Sequence, residues 1–238
     1  MVEISKSRAK DFIDVCIAIK GTPVNSAVLK SLIKINYFKC FGSVKKVMET
    51  YAVYEKWTSS SGQRKTMKLS EVESCGIPTY ELRRYATNIT SSGKVGKTYQ
   101  ITDWIGLVKA IARQIPDEEY GKLQLVKFQY EVLQYVEMTI PDIEWRFVVV
   151  TDLDTTYSPK FSAYCLQNGK STPMKVHKKK NARDKRIQMG FLETPFKDGD
   201  ILYLKDVKRE NQRKNIDGKW VENPEIKDWW VKDYMVVQ

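Results

Sequence analysis

The pattern of apolar residues changes at Pro141, and this change constrains the fold more than any other feature of the sequence. Before Pro141, apolar residues recur at the three- and four-residue spacing of amphipathic helices. After it, short segments rich in β-branched and aromatic residues alternate with turn signals, which is typical of a β domain. These segments, each a predicted strand, are residues 145–150, 161–166, 174–177, 201–207 and 229–237.

The order of the predicted strands indicates a particular barrel. Asn168-Gly169 predicts a hairpin turn after the second strand, and residues 182–191 are long enough for a short helix between the third and fourth. Five strands with a helical insert after the third is the order of an OB-type barrel. We therefore predict an α+β protein with a helical domain over residues 1–140, including a possible linker at 58–66, followed by a five-stranded antiparallel OB-type β-barrel over residues 141–238. A generic antiparallel sheet or sandwich is the alternative.

Capping signals place several helices in the first part of the chain. Asn25 and Ser43 each precede an apolar helical pattern and predict two helix starts. Residues 70–73 have the spacing of a capping box, which predicts a short helix. Pro116, followed by three acidic residues, suits the first turn of a further helix that continues towards residue 136.

Positive charge is concentrated in one part of the sequence. The 238-residue chain carries a net charge of +11, and residues 160–219 contain 16 basic and seven acidic residues. Residues 175–186 alone contain seven Lys or Arg. Concentrated positive charge is the electrostatic signature of a nucleic-acid partner, because each neutralised phosphate releases condensed counterions. A solvated basic surface that serves solubility is the alternative.

A protein that binds single strands needs a basic groove for the backbone and aromatic faces on which bases stack. The predicted aromatic contacts are Phe161, Tyr164 and Tyr203, with Tyr164 preferred to Phe161 because a buried Tyr needs a hydroxyl partner. DNA and RNA both fit this pattern. The predicted basic contacts are Lys175, His177, Lys178, Lys179, Lys180, Arg183, Lys185, Arg186, Lys208, Arg209, Arg213 and Lys214. In the last strand Trp229 and Trp230 alternate faces, so one is expected in the core and the other at the rim.

The sequence predicts no catalytic residues, no metal site and no cofactor. One histidine and four scattered cysteines are too few and too dispersed for a zinc site, and reduced cytoplasmic thiols are expected. Residues 93–98 end in Gly-Lys-Thr, but Ser91 stands where a phosphate-binding loop has its first glycine. Asp152 and Asp154 have the spacing of a magnesium-binding pair, and a metal-dependent enzyme centred on them is an alternative to a solvated hairpin tip.

A cytoplasmic location without a membrane partner is expected. The sequence contains no run of about 18 apolar residues, the length that a spanning helix requires. Its first six residues lack the apolar segment of a secretion signal.

Part of the N-terminal region resembles a known family. Asp11-Phe12, residues 24–34, Phe38 and Gly42 are similar to a line in the bacterial replicative DNA polymerase III alpha subunit. In that family the line lies at the end of the helix-hairpin-helix region, ahead of an OB domain. Residues 123–135 also resemble the family's helix before the OB domain. The sequence departs from the motif at residues 35–37, which are Ile-Asn-Tyr where the family has Ala-Gly-Ala.

The resemblance implies a non-catalytic, DNA-binding part of a bacterial or phage replication protein. Its expected ligand is single-stranded DNA or a primer-template junction, and its expected location is the cytoplasm. An adaptor that binds replication proteins without direct DNA contact is the alternative.

Overall fold

The structure is a computed structural model that describes residues 8–59, 62–89, 93–156, 158–177, 191 and 194–237. The chain contains both helices and strands, so the predicted α+β class is confirmed. It forms two compact units, Met1–Tyr120 (unit 1) and Gly121–Gln238 (unit 2). The division lies earlier in the chain than the expected boundary at residue 140.

Unit 1 is built around one long helix. The helix Val44–Trp57 packs against the helices Phe12–Ile19, Ser26–Lys34 and Trp104–Arg113, and its buried face includes Val47, Tyr51 and Trp57. The predicted caps are confirmed: the Asn25 side chain accepts the Val28 amide, and the Ser43 side chain accepts the Lys46 amide. The helices of unit 1 are α1 (Phe12–Ile19), α2 (Ser26–Lys34), α3 (Val44–Trp57), α4 (Leu69–Ser74), α5 (Thr79–Leu82) and α6 (Trp104–Arg113).

Five short strands complete unit 1. Strands β1 (Thr58–Ser59) and β2 (Gly62–Gln63) pair with each other. Strands β3 (Thr66–Lys68), β4 (Ala86–Ile89) and β5 (Val95–Ile101) form an antiparallel sheet in the order β3-β5-β4. The predicted linker at 58–66 therefore contains strand residues. The Gly-Lys-Thr sequence lies inside β5 rather than before a helix, so it does not form a phosphate-binding loop.

The acidic residues after Pro116 do not begin a helix, contrary to the prediction. Instead they cap the N-terminus of α3. The Asp117 carboxylate accepts the Ser43 amide at 2.8 Å, and the Glu119 carboxylate accepts the Val44 amide at 3.0 Å. The acidic charge does lie at a positive helix end, as the dipole favours, but the helix belongs to a distant part of the sequence.

The short helix after β3 also begins earlier than the capping-box spacing predicted. It starts at Leu69, and the Glu71 carboxylate reaches back to the Lys68 amide at 2.8 Å. Arg64 holds the same carboxylate through an ion pair of 2.7 Å. Because this pair fixes Glu71, the cap forms at Lys68 instead of at Ser70.

Unit 2 consists of a helix and a closed sheet. Its elements are α7 (Lys122–Leu133), β6 (Phe147–Asp154), β7 (Lys160–Cys165), β8 (Ser171–Val176), β9 (Ile201–Ile216) and β10 (Lys219–Val237). The strands pair in the order β6-β7-β8-β10-β9, and β9 pairs back with β6, which closes the barrel. The expectation of a wholly antiparallel sheet is wrong. Strand β10 lies between β8 and β9. It runs antiparallel to β9 and parallel to β8.

The barrel interior is filled by alternate residues of every strand, as a closed sheet requires. Its buried members are Val148, Val150, Phe161, Ala163, Met174, Val176, Phe196, Leu202, Leu204, Val231 and Tyr234. A second cluster lies on the outside of the barrel, where Val126 of α7 packs with Val149, Leu166 and Ile201. Helix α7 thus covers one outer face and belongs to the barrel unit.

Strands β9 and β10 are much longer than the predicted segments 201–207 and 229–237. Within the described part of the chain, residues 210–228, called the arm, pair with one another and not with β6 or β8. At the tip of the arm its two strands are joined by the two-residue turn Asp217-Gly218, where φ is +50° and +82°. An Asp-Gly pair with two positive φ angles suits a tight hairpin. Of the predicted helix at 182–191, all but Phe191 lies outside the described residues.

The described part of the chain contains no helix that is long and apolar enough to span a membrane.

Candidate nucleic-acid interface

A row of basic and aromatic side chains crosses four strands on the outside of the barrel. In the sheet register Lys160 of β7 is opposite Lys175 of β8, and Lys175 is opposite Trp230 of β10. Trp230 is in turn opposite Lys208 of β9. We call these four residues the outer row. They lie up to 70 residues apart in the sequence, so only the sheet register brings them together.

The outward direction of this row follows from the burial of its neighbours. Phe161 and Met174, which follow Lys160 and precede Lys175, pair with each other in the next row and are 3% and 7% exposed. Because successive strand residues point to opposite faces, Lys160 and Lys175 point away from the core. Trp230 likewise precedes the fully buried Val231.

A groove of about 490 Å³ lies over the outer row. It is bounded by the β6–β7 connection on one side and by the arm on the other. Its lining residues are Ser158, Lys160, Lys175, Glu210, Asn211, Arg213, Asp228 and Trp230. The groove therefore combines cationic, amide and carboxylate groups with one large aromatic ring.

Trp230 is the aromatic residue of the groove. Its ring is half-buried, with the Lys175 ammonium 5.6 Å from the ring centroid and the His177 ring 6.0 Å away at 76°. Trp229, its neighbour, packs against the barrel core and carries the Arg209 guanidinium at 5.4 Å. The expected division of the two tryptophans between core and rim matches this arrangement.

The cations of the groove and of the outer row are paired with acids at the surface. Lys175 contacts Asp228 at 2.5 Å, Arg213 contacts Glu222 at 2.5 Å, and Lys208 contacts Glu210 at 2.9 Å. The hydrogen bond from Lys208 holds the pKa of Glu210 below its usual range. Such partly exposed pairs each contribute only about 0–1 kcal/mol, so a phosphate can compete for the cations.

The Asp152-Leu153-Asp154 segment forms the end of strand β6. The Asp154 carboxylate accepts the Thr156 amide at 2.9 Å and pairs with Lys160 at 3.0 Å. Hydrogen bonds from Thr156, together with the hydrogen bond from Lys160, lower the pKa of Asp154 to about 2. The carboxylate thus stabilises the turn into β7. Within the described residues, no cluster of three or more His, Cys, Asp or Glu side chains could hold a metal ion.

No protein-family model, curated protein or solved structure matches the chain.

The three aromatic residues predicted to stack on bases have structural positions instead. Phe161 is buried in the barrel interior, 5.2 Å from the Phe196 ring. The Tyr164 hydroxyl donates to the Met138 carbonyl at 3.4 Å, and its ring packs with the cluster beneath α7. Tyr203 contacts the Phe147 ring at 5.0 Å and lies on the β6–β9 face, outside the groove lining. None of the three presents a free ring face to the groove.

The residues predicted as basic contacts fall into three groups: those at or beside the groove, Arg209 alone, and those outside the described part of the structure. Lys175 and Arg213 line the groove, Lys208 belongs to the outer row, and His177 lies beside Trp230. Arg209 lies over Trp229. The remaining predicted residues, whose side chains lie outside the described part of the structure, are Lys178, Lys179, Lys180, Arg183, Lys185, Arg186 and Lys214.

Sequence reasoning missed Lys160 and Trp230 as groove residues. A signal for Trp230 was present in the sequence. The Trp-Trp pair precedes the apolar Val231, and if Val231 points into the core, strand alternation turns Trp230 outward. That signal does not say which other strands lie beside Trp230. The parallel pairing of β8 with β10 provides that information, and it joins residues more than fifty positions apart.

Proposed function

We propose that unit 2 is an OB-type barrel that binds single-stranded nucleic acid in its groove, as a non-catalytic part of a DNA replication protein. Counted along the chain, its five strands close in the order one-two-three-five-four. OB barrels bind oligonucleotides across strands two and three, between the loop from strand one to two and the loop from strand four to five.

The position of the groove carries this proposal. Lys160 and Lys175 belong to the second and third strands, and Ser158 to the first connection. Asn211 and Arg213 belong to the arm, the part of the fourth strand that extends beyond the barrel towards the fifth. In an OB barrel this position corresponds to the oligonucleotide site, which supports the proposal. The arm would lie along the ligand as an extended version of the last connection.

The chemistry of the groove suits a flexible, single-stranded polyanion. Trp230 offers a ring on which a base can stack, an interaction that contributes about 1–3 kcal/mol and tolerates any base. Lys160, Lys175 and Arg213 can exchange their surface carboxylate partners for phosphates. The resemblance of residues 24–34 to the polymerase III alpha subunit supports a role in replication, in the cytoplasm, on single-stranded DNA or at a primer-template junction.

Fluorescence anisotropy with labelled single-stranded oligonucleotides over a range of salt tests the proposal. Trp230→Ala should weaken binding by about 5- to 150-fold, which corresponds to the loss of one stacked base. Trp145→Ala is the matched control, since Trp145 is 46% exposed in the same unit but does not line the groove. Equal affinities of the two variants would remove Trp230 from the site.

The salt dependence provides a second measurement. Each phosphate contact contributes about 0.7 to the slope of log affinity against log salt for single strands. Lys160→Gln/Lys175→Gln should therefore flatten the slope by up to about 1.4. Lys122→Gln, which removes an exposed charge on α7, should leave the slope unchanged. An unchanged slope in the double variant would exclude these lysines from phosphate binding.

A second candidate function is that of an adaptor for replication proteins. The arm exposes three apolar side chains, Ile216, Val221 and Ile226, which are 44–55% exposed. Exposed apolar residues on a projecting hairpin suit a protein contact. A partner retained after nuclease treatment and at high salt, and absent once the three residues are replaced with Ser, would favour this function, because phosphate-driven binding fades at high salt.

A further inference from the structure

Unit 1 contains a pocket that the proposed function does not use. Its volume is about 420 Å³, which is within the range of small-molecule sites. Three segments bound it: the end of α1, the connection from β2 to β3, and the start of α6. Its polar lining residues are Lys20, Gln63, Arg64, Lys65 and Thr102, and the buried Trp104 forms part of its wall.

Hydrogen bonds fix the segments that surround the pocket. The Ile101 amide donates to the Lys65 carbonyl at 2.8 Å, which holds the β2–β3 connection beside the end of β5. The Trp104 indole donates to the Trp57 carbonyl at 2.6 Å, and the Arg64 amide donates to the same carbonyl at 3.2 Å. The walls of the pocket are therefore joined to α3 and to one another, and the pocket is part of the fold of unit 1.

Arg64 presents unused hydrogen-bond donors in a fixed position. Both of its contacts with Glu71, at 2.7 and 2.8 Å, use the Nη2 atom. The guanidinium carbon lies 5.1 Å from the centroid of the Trp57 ring, which holds the group from a second side. Within the described part of unit 1, Nε and Nη1 have no hydrogen-bond acceptor. A guanidinium held in this way binds an anion with little further loss of side-chain freedom.

The two lysines of the pocket have no acidic partner. Among the described residues, neither Lys20 nor Lys65 forms an ion pair or a side-chain hydrogen bond, and no carboxylate lines the pocket. Asp103 is next to the lining residues in the sequence, but its carboxylate caps α6. Because Glu71 balances the charge of Arg64, the pocket keeps the two positive charges of its lysines. The cations of the groove in unit 2, by contrast, are paired with acids.

We infer that this pocket binds a terminal phosphate, the phosphomonoester group of a nucleotide or of a phosphorylated strand end. Such a group carries a charge of about −1.5 to −2 at neutral pH, which matches the two unpaired lysines. An internal phosphate of a nucleic acid carries a single charge and would leave one lysine without a counterion.

The remaining groups of the pocket suit the same ligand. The Arg64 guanidinium supplies planar donors to phosphate oxygens, and the Gln63 amide and Thr102 hydroxyl supply neutral ones. A volume of about 420 Å³ exceeds that of a phosphate group, so the sugar attached to it also fits.

This site goes beyond the proposed function, since it lies on the other unit and binds a single chemical group rather than the length of a strand. The test uses the full chain with two pairs of probes. One pair is deoxyadenosine and deoxyadenosine 5′-monophosphate, measured by isothermal titration calorimetry. The other is a single strand labelled at its 3′ end, with and without a 5′-phosphate, measured by anisotropy. The members of each pair differ only in the terminal phosphate.

The phosphorylated member of at least one pair should bind at least about tenfold more tightly, because hydrogen bonds to charged groups are stronger than neutral ones. A preference within the nucleoside pair identifies a free nucleotide as the ligand, and a preference within the strand pair alone identifies a strand end. The strand pair is also measured with Trp230→Ala, so that binding in the groove of unit 2 does not mask the pocket.

Lys20→Gln/Lys65→Gln should remove the preference for the phosphorylated probe, because it deletes the two charges that attract the terminal phosphate. Lys39→Gln/Lys97→Gln is the matched control, since it removes two exposed lysines of unit 1 that do not line the pocket. The control should keep the preference. Both variants change only exposed side chains, and circular dichroism checks that they are folded.

Two results would overturn the inference. One is equal binding of the phosphorylated and unphosphorylated members of both pairs by the native protein. The other is a preference that Lys20→Gln/Lys65→Gln reduces no more than the control does. Failure of the proposed function is distinguishable from these results, because it would appear as single-strand affinity that does not depend on Trp230, whatever the phosphate preference.

Discussion

Gly199 occupies a position in unit 2 where no side chain fits. Its φ is +85°, and a Cβ atom there would overlap the Tyr130 ring of α7. Gly199→Ala should therefore force α7 away from the barrel, at a cost of about 1–3 kcal/mol for the overlap in addition to the backbone strain. The free energy of unfolding, measured in urea with a probe in unit 2, checks this prediction.

Gly218→Ala is the control for the backbone strain alone. Gly218 has nearly the same φ, +82°, but a Cβ atom there meets nothing within 4 Å. Its substitution should cost about 1 kcal/mol, the penalty of a left-handed backbone for an L-residue. If both variants lose the same stability, the packing of Tyr130 on Gly199 does not support the docking of α7.

Single residues show where sequence reasoning reached its limit. Phe161, Tyr164 and Trp230 are all aromatic residues on predicted strands, and their burial cannot be distinguished by residue type. Phe161 is in the core, Tyr164 is held beneath α7, and Trp230 lines the groove. The difference depends on strand register and on which outer face α7 covers. Both are set by contacts between distant segments.

At the scale of elements, the cap of α3 provides a direct test. Glu119 accepts the amides of Val44 and Lys45, two donors that the first turn of a helix leaves without internal partners. Glu119→Ala should lower the stability of unit 1 by about 1 kcal/mol, since it removes both the cap and a negative charge at the positive helix end. Urea unfolding, followed by hydrogen exchange of α3, measures the change in stability.

Glu118→Ala separates this cap from a simple surface charge. Among the described residues, the Glu118 side chain contacts only the Lys45 ammonium, at 2.9 Å, while its backbone carbonyl accepts the Ser43 hydroxyl. The substitution keeps the carbonyl and should cost less than about 0.5 kcal/mol. A destabilisation as large as that of Glu119→Ala would mean that overall charge, and not the cap, stabilises α3.

Elements defined by local signals were predicted well. Helices α2 and α3 begin after the predicted caps, and all five barrel strands overlap their predicted segments. The arm was not predicted, although Asp217-Gly218 is a strong hairpin signal. Its flanking residues 208–215 are mostly charged or polar, because each strand of the arm faces solvent and lacks the apolar alternation of a half-buried strand.

At the scale of the whole molecule, the basic segment predicted from charge contains part of the proposed groove. The basic segment from residue 160 to 219 includes Lys160, Lys175 and Arg213, all of which line the groove. Net charge did not reveal that these cations are paired with acids.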